Sequence, residues 1–293
     1  MDEIINQEEQ QYLDLLKNIL EKGEKRDDRT GVGTLSLFGC RMEFDLTKGF
    51  PLFTTRKMPW KIIIKELLWM LSGSTDVTKL QSQDVHIWDG NSTRDFLDKR
   101  GLSNLPEWDI GAGYGHQWRH FDAPYNTCKD DYTGKGVDQI SKIIKLIKEE
   151  PTSRRIVLCA WNPAQEDQMA LPPCHILAQF YVREGIYLDC QLYQRSQDVA
   201  LAANYNITAY SALTVMFAHV TGLQAGKFIH VIGDAHVYLN HVDAVKELLT
   251  RQPYSFPQLK ITNQTTDIFQ IKLEDFQITG YKSHPTLKMP MAI

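Results

Sequence analysis

The chain has 293 residues, of which 43% are hydrophobic and 23% charged, a balance that suits a globular protein with a sizeable core. A formal net charge of −4 provides no global basic field for nucleic acid or a membrane surface, so an anionic ligand must be held by local arginines. The five cysteines (40, 128, 159, 174, 190) form no C-x-x-C pair, which argues against a disulfide framework or zinc cluster and for a reducing, cytoplasmic setting. The opening "MDEIINQEEQ" lacks the apolar run of a secretory leader, and no stretch is apolar for the roughly 18 residues of a membrane span.

In chain order, residues 7–22 place Tyr12, Leu15, Leu16 and Ile19 on one face before Gly23, and the spacing predicts a helix. "TLSLFGCRMEFDL" (34–46) alternates like a half-buried strand, and "WKIIIKELLWMLSG" (60–73) is apolar nearly all round, as in a buried helix ended by Gly73. Residues 89–135 are rich in Gly, Asn, Asp, Trp and Tyr without a clear period; loops and short turns are expected, and so long a stretch is usually functional. An amphipathic helix is predicted over 137–151, stopped by Pro151. Strands follow at 154–162, then "HILAQFYV" paired with "IYLDCQLYQR" across the turn Arg183-Glu184-Gly185. Residues 209–222 and 236–252 read as helices around a short strand, "KFIHVIG". No linker, low-complexity tract or repeat divides the chain. The expectation is one α+β domain over 1–293, with an N-terminal helix in 1–25, active-site loops in 89–135, and a mixed or antiparallel sheet covered by helices.

Leu171-Pro172-Pro173-Cys174-His175 is the strongest local signal: two prolines fix the backbone before a cysteine that opens a strand. Cysteine is the most nucleophilic common side chain once cationic neighbours favour its thiolate, and Arg154, Arg155 and Arg195 sit on adjoining strands. The default for a free cysteine is a small buried hydrophobe, and the other four keep that reading. Arg29, Arg154, Arg155 and Arg195 fall at turns or strand ends, and guanidinium groups with a serine such as Ser196 suit a phosphate. Glu66 interrupts an apolar helix, where a carboxylate must be paired or act as a proton donor of raised pKa. His236 and Tyr238 follow a Gly-Asp turn and suit a sugar hydroxyl or a helix cap. "GVGTLS" and "GAGYG" do not complete a dinucleotide loop. His116 and His120 have i,i+4 spacing, but "HQWRH" lacks a helical pattern and a third ligand, so no metal is expected.

From "DDRTGVGTLSLFG" to "MPMAI" the chain resembles the thymidylate synthase family, through "ELLWMLSGST", "HIWDGNSTRDFLD", "YGHQWRHF", "SRRIVLCAWNP", "MALPPCH", "CQLYQRSQD", "GDAHVYLNH" and "EDFQITGYKSHPTLKM". The resemblance implies an α+β fold with a sheet-to-sheet homodimer in which Arg154 and Arg155 reach the partner's site. It implies that Cys174 attacks C6 of deoxyuridylate (dUMP), and that C5 then takes the one-carbon unit of 5,10-methylenetetrahydrofolate. Arg29, Arg195, Ser196 and the borrowed pair would hold the phosphate, Asn206 the pyrimidine edge, and His236 with Tyr238 the 3′-hydroxyl. Glu66, Tyr114 and His175 would serve the proton transfers. Ile87, Trp88, Asn91, Asp198, Leu201, Ala202 and Tyr205 match folate-side positions, Asp198 adjoining the nucleotide as well, while Met291 and Ala292 belong to a C-terminal lid.

Two stretches depart from the family's pattern: Gly111-Ala112-Gly113-Tyr114, and Leu201-Ala202-Ala203-Asn204-Tyr205-Asn206 where members read Leu-Gly-x-Pro-Phe-Asn. The second stands where an active-site loop is due, and Asn204 and Tyr205 are candidates to order a water. The expected product is thymidylate, formed by hydride transfer to an exocyclic methylene. The alternative is 5-hydroxymethyl-deoxyuridylate, formed when water adds instead. A third reading is an inactive homologue that only binds nucleotide.

Overall fold

The computed structural model describes residues 6–290. Six strands form one sheet: β1 (Glu24–Arg26), β2 (Thr34–Asp45), β3 (Val157–Cys159), β4 (His175–Arg183), β5 (Tyr187–Asp198) and β6 (Gln224–Tyr238). Their order is β1-β2-β6-β5-β4-β3, with β5 and β6 parallel and every other pair antiparallel, so the sheet is mixed. The helices are α1 (Gln7–Lys22), α2 (Trp60–Leu71), α3 (Thr78–Gln81), α4 (Arg94–Lys99), α5 (Tyr114–His120), α6 (Gln139–Glu149), α7 (Ala203–Thr221) and α8 (Val242–Leu248). Helix α7 packs on β5 and β6, and α1 on β2 and β6. The α+β architecture with helices over a mixed sheet is therefore as expected. A second, two-stranded sheet of β7 (Gln258–Ile261) and β8 (Phe276–Thr279) was not foreseen. Among the described residues no helix is long and apolar enough to cross a membrane.

Helix α1 shows how sequence becomes position. Asn6 caps it by accepting from the Glu8 and Glu9 N–H groups, and Tyr12, Leu15, Leu16 and Ile19 are buried on its inner face. Glu9 lies on that face too, fully buried. Its carboxylate accepts from both the N–H and the O–H of Thr54 and Thr55, which satisfies the charge and fixes the segment leading into Arg56.

The turn Arg183-Glu184-Gly185 forms as predicted: Glu184 and Gly185 have φ of 57° and 68°, and β4 pairs antiparallel with β5 around them. Several expectations need correction. Residues 236–238 do not open a helix and Gly233-Asp234 is no turn: β6 runs unbroken for 15 residues, because Ser36 and Asp198 on the flanking strands both pair with His236. The helix expected over 236–252 reduces to α8 after a short 3-10 turn. The strand predicted over 154–162 is only three residues long. Residues 89–135 include α4 and α5 rather than loops alone, and "HQWRH" lies inside α5.

The burial alternation of β6 breaks at Gly233: Phe228, His230 and Ile232 are its buried positions before that glycine, Ala235 and Val237 after it. The alternation thus changes parity, and Asp234, His236 and Tyr238 emerge together on the other face. Strand β5 changes parity at the same level, from Leu192 and Gln194 to Gln197, and Ser196 pairs with Asp234. A Cβ at Gly233 would lie 2.7 Å from the Arg195 carbonyl oxygen, so glycine alone permits this close approach.

Candidate active site

Cys174 stands at the head of β4, and its surroundings come from three separate segments. Arg195 on β5 donates from Nε to the Pro173 carbonyl (2.8 Å) and from Nη2 to the Pro172 carbonyl (2.9 Å), leaving Nη2 3.9 Å from Cys174 Sγ. The two prolines therefore do more than stiffen the approach, since their carbonyls aim a guanidinium at the thiol. Burial pushes the Cys174 thiol up, while the charges of Arg195 and Arg29 pull it down. The Cys174 N–H donates to Tyr114 Oη (2.8 Å) at the start of α5. Tyr114 stacks on His175 with centroids 4.0 Å apart, and His175 Nδ1 lies 2.8 Å from Tyr210 Oη. Burial, with His230 adding to it, lowers His175 to about 3, so its ring is neutral. Tyr114 reaches this place because Gly111 (φ 74°) lies against the Gln168 carbonyl, where a side chain has no room.

Glu66 projects from α2 and accepts from the Trp88 indole N–H (2.8 Å). Burial raises its carboxyl to about 7 despite that bond, which leaves it divided between acid and base at neutral pH. Trp88 meets Tyr114 edge-on at 6.1 Å, so Glu66, Trp88, Tyr114 and Cys174 form one contiguous wall. Ile87 is half-buried beside Trp88. Asn91 is buried, and its Nδ2 has no partner among the described residues.

Asn206 on α7 accepts from Gln194 Nε2 (3.2 Å), and Gln194 Oε1 lies 3.0 Å from His230 Nε2. Sequence reading missed Gln194 and His230. The available signal was a polar residue at core parity: Gln194 follows Leu188, Cys190 and Leu192, and His230 sits between Phe228 and Ile232. Asp198 accepts from the Leu201 N–H (2.9 Å), with its other oxygen 3.8 Å from His241 Nδ1, and burial raises its carboxyl. Arg56, also missed, donates to the Leu201 carbonyl (2.6 Å). His241 Nε2 lies 2.7 Å from the Pro290 carbonyl, which brings the C-terminal segment to this corner. Met291 and Ala292 lie outside the described residues.

Arg29 is exposed on a turn closed by Asp28, whose carboxylate accepts from the Thr30 and Gly33 N–H groups. Its charge acts on Cys174 and on Tyr238, itself raised by burial. Ser196 is half-buried beside Arg195 and pairs with Asp234 on β6. Arg154 and Arg155 are not drawn into this pocket. Both are exposed, have no carboxylate partner among the described residues, and lie by Gln179, further along β4.

The stretch at 202–205 is not a loop. Ala202 is the N-cap residue of α7, and Ala203, Asn204 and Tyr205 form its first turn, as alanines without a glycine or proline allow. Asn204 is fully buried and faces the core, its Nδ2 3.6 Å from Met58 Sδ and its Oδ1 without a hydrogen-bond partner among the described residues. Ala202 and Tyr205 remain half-exposed beside Leu201.

The model of the family described as Thymidylate synthase matches residues 10–293. Thymidylate synthase from Homo sapiens is 52% identical over 285 residues, covering 97% of this chain and 91% of its own. The Herpesvirus ateles thymidylate synthase is 52% identical over 97% of this chain and 98% of its own, and that of Saccharomyces cerevisiae 51% over 98% of each. With half its residues shared along nearly the whole length, this chain belongs to the thymidylate synthase family.

Proposed function

We propose that the chain converts deoxyuridylate to thymidylate, with 5,10-methylenetetrahydrofolate as co-substrate, and that Cys174 is the nucleophile. The observation that carries this reading is Arg195 Nη2 at 3.9 Å from Cys174 Sγ, in the pocket where Gln194 orients Asn206. Cys174 gives up its proton and forms an S–C6 bond, with the neighbouring guanidinium favouring the thiolate. Asn206 has an oxygen for the uracil N3–H and an Nδ2–H for O4, where enolate charge develops as C5 becomes nucleophilic. Glu66 is poised near neutrality to pass protons, and Tyr114 and His175 hold the Cys174 wall in place. The later loss of the C5 proton and departure of Cys174 restore the enzyme. When bound, the folate supplies the one-carbon unit and the hydride.

Arg29, Arg195 and Ser196 form the phosphate side, with His236 and Tyr238 on the sugar. Ile87, Trp88, Asn91, Asp198, Leu201, Ala202 and Tyr205 form the folate side, with Met291 and Ala292 as part of a lid. A flat heteroaromatic fits there: Trp88 and Tyr205 offer half-exposed ring faces, and Asn91 Nδ2 is a buried donor awaiting an acceptor. Asn204 is turned to the core against Met58, which leaves Tyr205 as the half-exposed residue of the two on this side.

The chain is read as one domain acting as a homodimer in the cytoplasm. Phe38 is 82% and Tyr181 62% exposed on the sheet, where a partner's sheet would cover them, and Arg154 and Arg155 are exposed and would reach a partner's phosphate. Five unpaired cysteines suit a reducing compartment. Covalent capture tests the proposal. 5-Fluoro-deoxyuridylate with methylenetetrahydrofolate should add its mass to the Cys174 peptide, and no adduct, or one at another cysteine, refutes the assignment.

A further inference from the structure

Behind His236 lies a group of side chains that the reaction above does not use. Asp234, two residues earlier on β6, has Oδ1 3.0 Å from His236 Nδ1. Ser36 Oγ on β2 donates to the same oxygen (2.9 Å), and Arg26 Nη1 on β1 pairs with Oδ2 (3.1 Å). Three adjoining strands thus converge on one carboxylate. Asp234 and His236, two residues apart on the strand, share one face, and the register places Ser36 directly opposite His236. The hydrogen bond to His236, together with Ser36 and Arg26, holds the Asp234 carboxyl below its usual range.

A carboxylate only accepts, so the proton of a neutral His236 ring must sit on Nδ1, and Nε2 is left with a free lone pair. We infer that Asp234 is a positioning residue that fixes the tautomer of His236, so that the enzyme demands a hydroxyl donor at the 3′ position of its nucleotide. The inference rests on the assignment of His236 to the sugar. It adds a rule of specificity: the ring is set to accept a hydrogen from the 3′-OH, and a nucleotide with no proton to give there meets an unpaired nitrogen. Arg26 and Ser36 act one step further out. Arg26 claims Oδ2, so an asparagine at 234 keeps its oxygen towards Arg26 and turns its NH₂ to Nδ1, which forces the opposite tautomer.

The test compares deoxyuridylate with its 3′-deoxy-3′-fluoro analogue, which keeps an acceptor at that position but has no proton to give, in wild type, Asp234→Asn and His236→Ala. Wild type should prefer deoxyuridylate in kcat/KM, and Asp234→Asn should lose that preference by about tenfold or more, because its His236 Nε2–H can donate to the fluorine where the wild-type lone pair cannot. An unchanged preference in Asp234→Asn, with loss in His236→Ala, overturns the tautomer inference alone. An unchanged preference in both variants overturns the sugar assignment and the inference with it. Should Asp234→Asn fail to fold, nitrogen-15 spectra of histidine-labelled wild-type enzyme decide the matter, with His236 identified by comparison with His236→Gln. A protonated Nδ1 and a bare Nε2 are expected; the reverse tautomer refutes the inference.

Discussion

The two halves of the pocket are built from different materials. On the proposed nucleotide side, Cys174, Arg195, Ser196, His236 and Tyr238 lie on or at the ends of three adjoining strands, held by inter-strand pairing. On the folate side, Trp88, Asn91 and Leu201 to Tyr205 sit on short helical turns and at a helix start, joined by single tethers such as Arg56 to Leu201 and His241 to Pro290. On the strand side the backbone is fixed by pairing, and Arg195 and His236 are further held by side-chain hydrogen bonds. The helix-end side depends on a few contacts that can open and close around a larger co-substrate.

Substitutions should separate the halves, and the largest effect belongs to the strand side. Cys174→Ala should lower kcat roughly 10⁴-fold or more while deoxyuridylate still binds, because the cradle does not need the sulfur. Equal loss of nucleotide binding by calorimetry would contradict a preformed cradle.

Next comes Glu66→Gln, expected to cost roughly 10² to 10³-fold in kcat with little change in KM for deoxyuridylate. It also carries a stability signature. A carboxyl raised from 4.5 to about 7 binds its proton more tightly in the folded state, so wild-type stability falls as pH rises from 4.5 towards 7 and then levels off. The glutamine lacks this loss. The melting temperature of Glu66→Gln minus that of wild type should therefore climb across that window, and a flat difference would show that burial does not act on Glu66.

Arg56→Ala should raise KM for the folate about tenfold, the scale of one charge-assisted hydrogen bond, and leave KM for deoxyuridylate unchanged. A matching rise for the nucleotide would dissolve the division into two halves. Smallest of all, Asn204→Leu should leave the product and the rate within about twofold of wild type, since that side chain faces Met58.

The same contrast explains what could be read from the sequence. Helix α1, the β4–β5 hairpin and the Cys174 segment carry local signals: an apolar stripe, a turn with Gly185, and two prolines before a cysteine. The folate-side start of α7 was misread as a loop, because its family pattern carries glycine and proline while this chain's alanines extend the helix. The length of β6 was hidden because its parity changes at Gly233, which breaks the alternation a strand is recognised by. Gln194, His230 and Arg56 act mainly through contacts distant in sequence, so the chain marks Gln194 and His230 only as polar residues at core parity and does not mark Arg56.

The central claim is that this pocket ends its reaction with hydride rather than water. Purified enzyme incubated with deoxyuridylate and methylenetetrahydrofolate, both products then identified by mass and absorbance, tests it most directly. The account predicts thymidylate and dihydrofolate in equal amounts. Tetrahydrofolate with 5-hydroxymethyl-deoxyuridylate would contradict it.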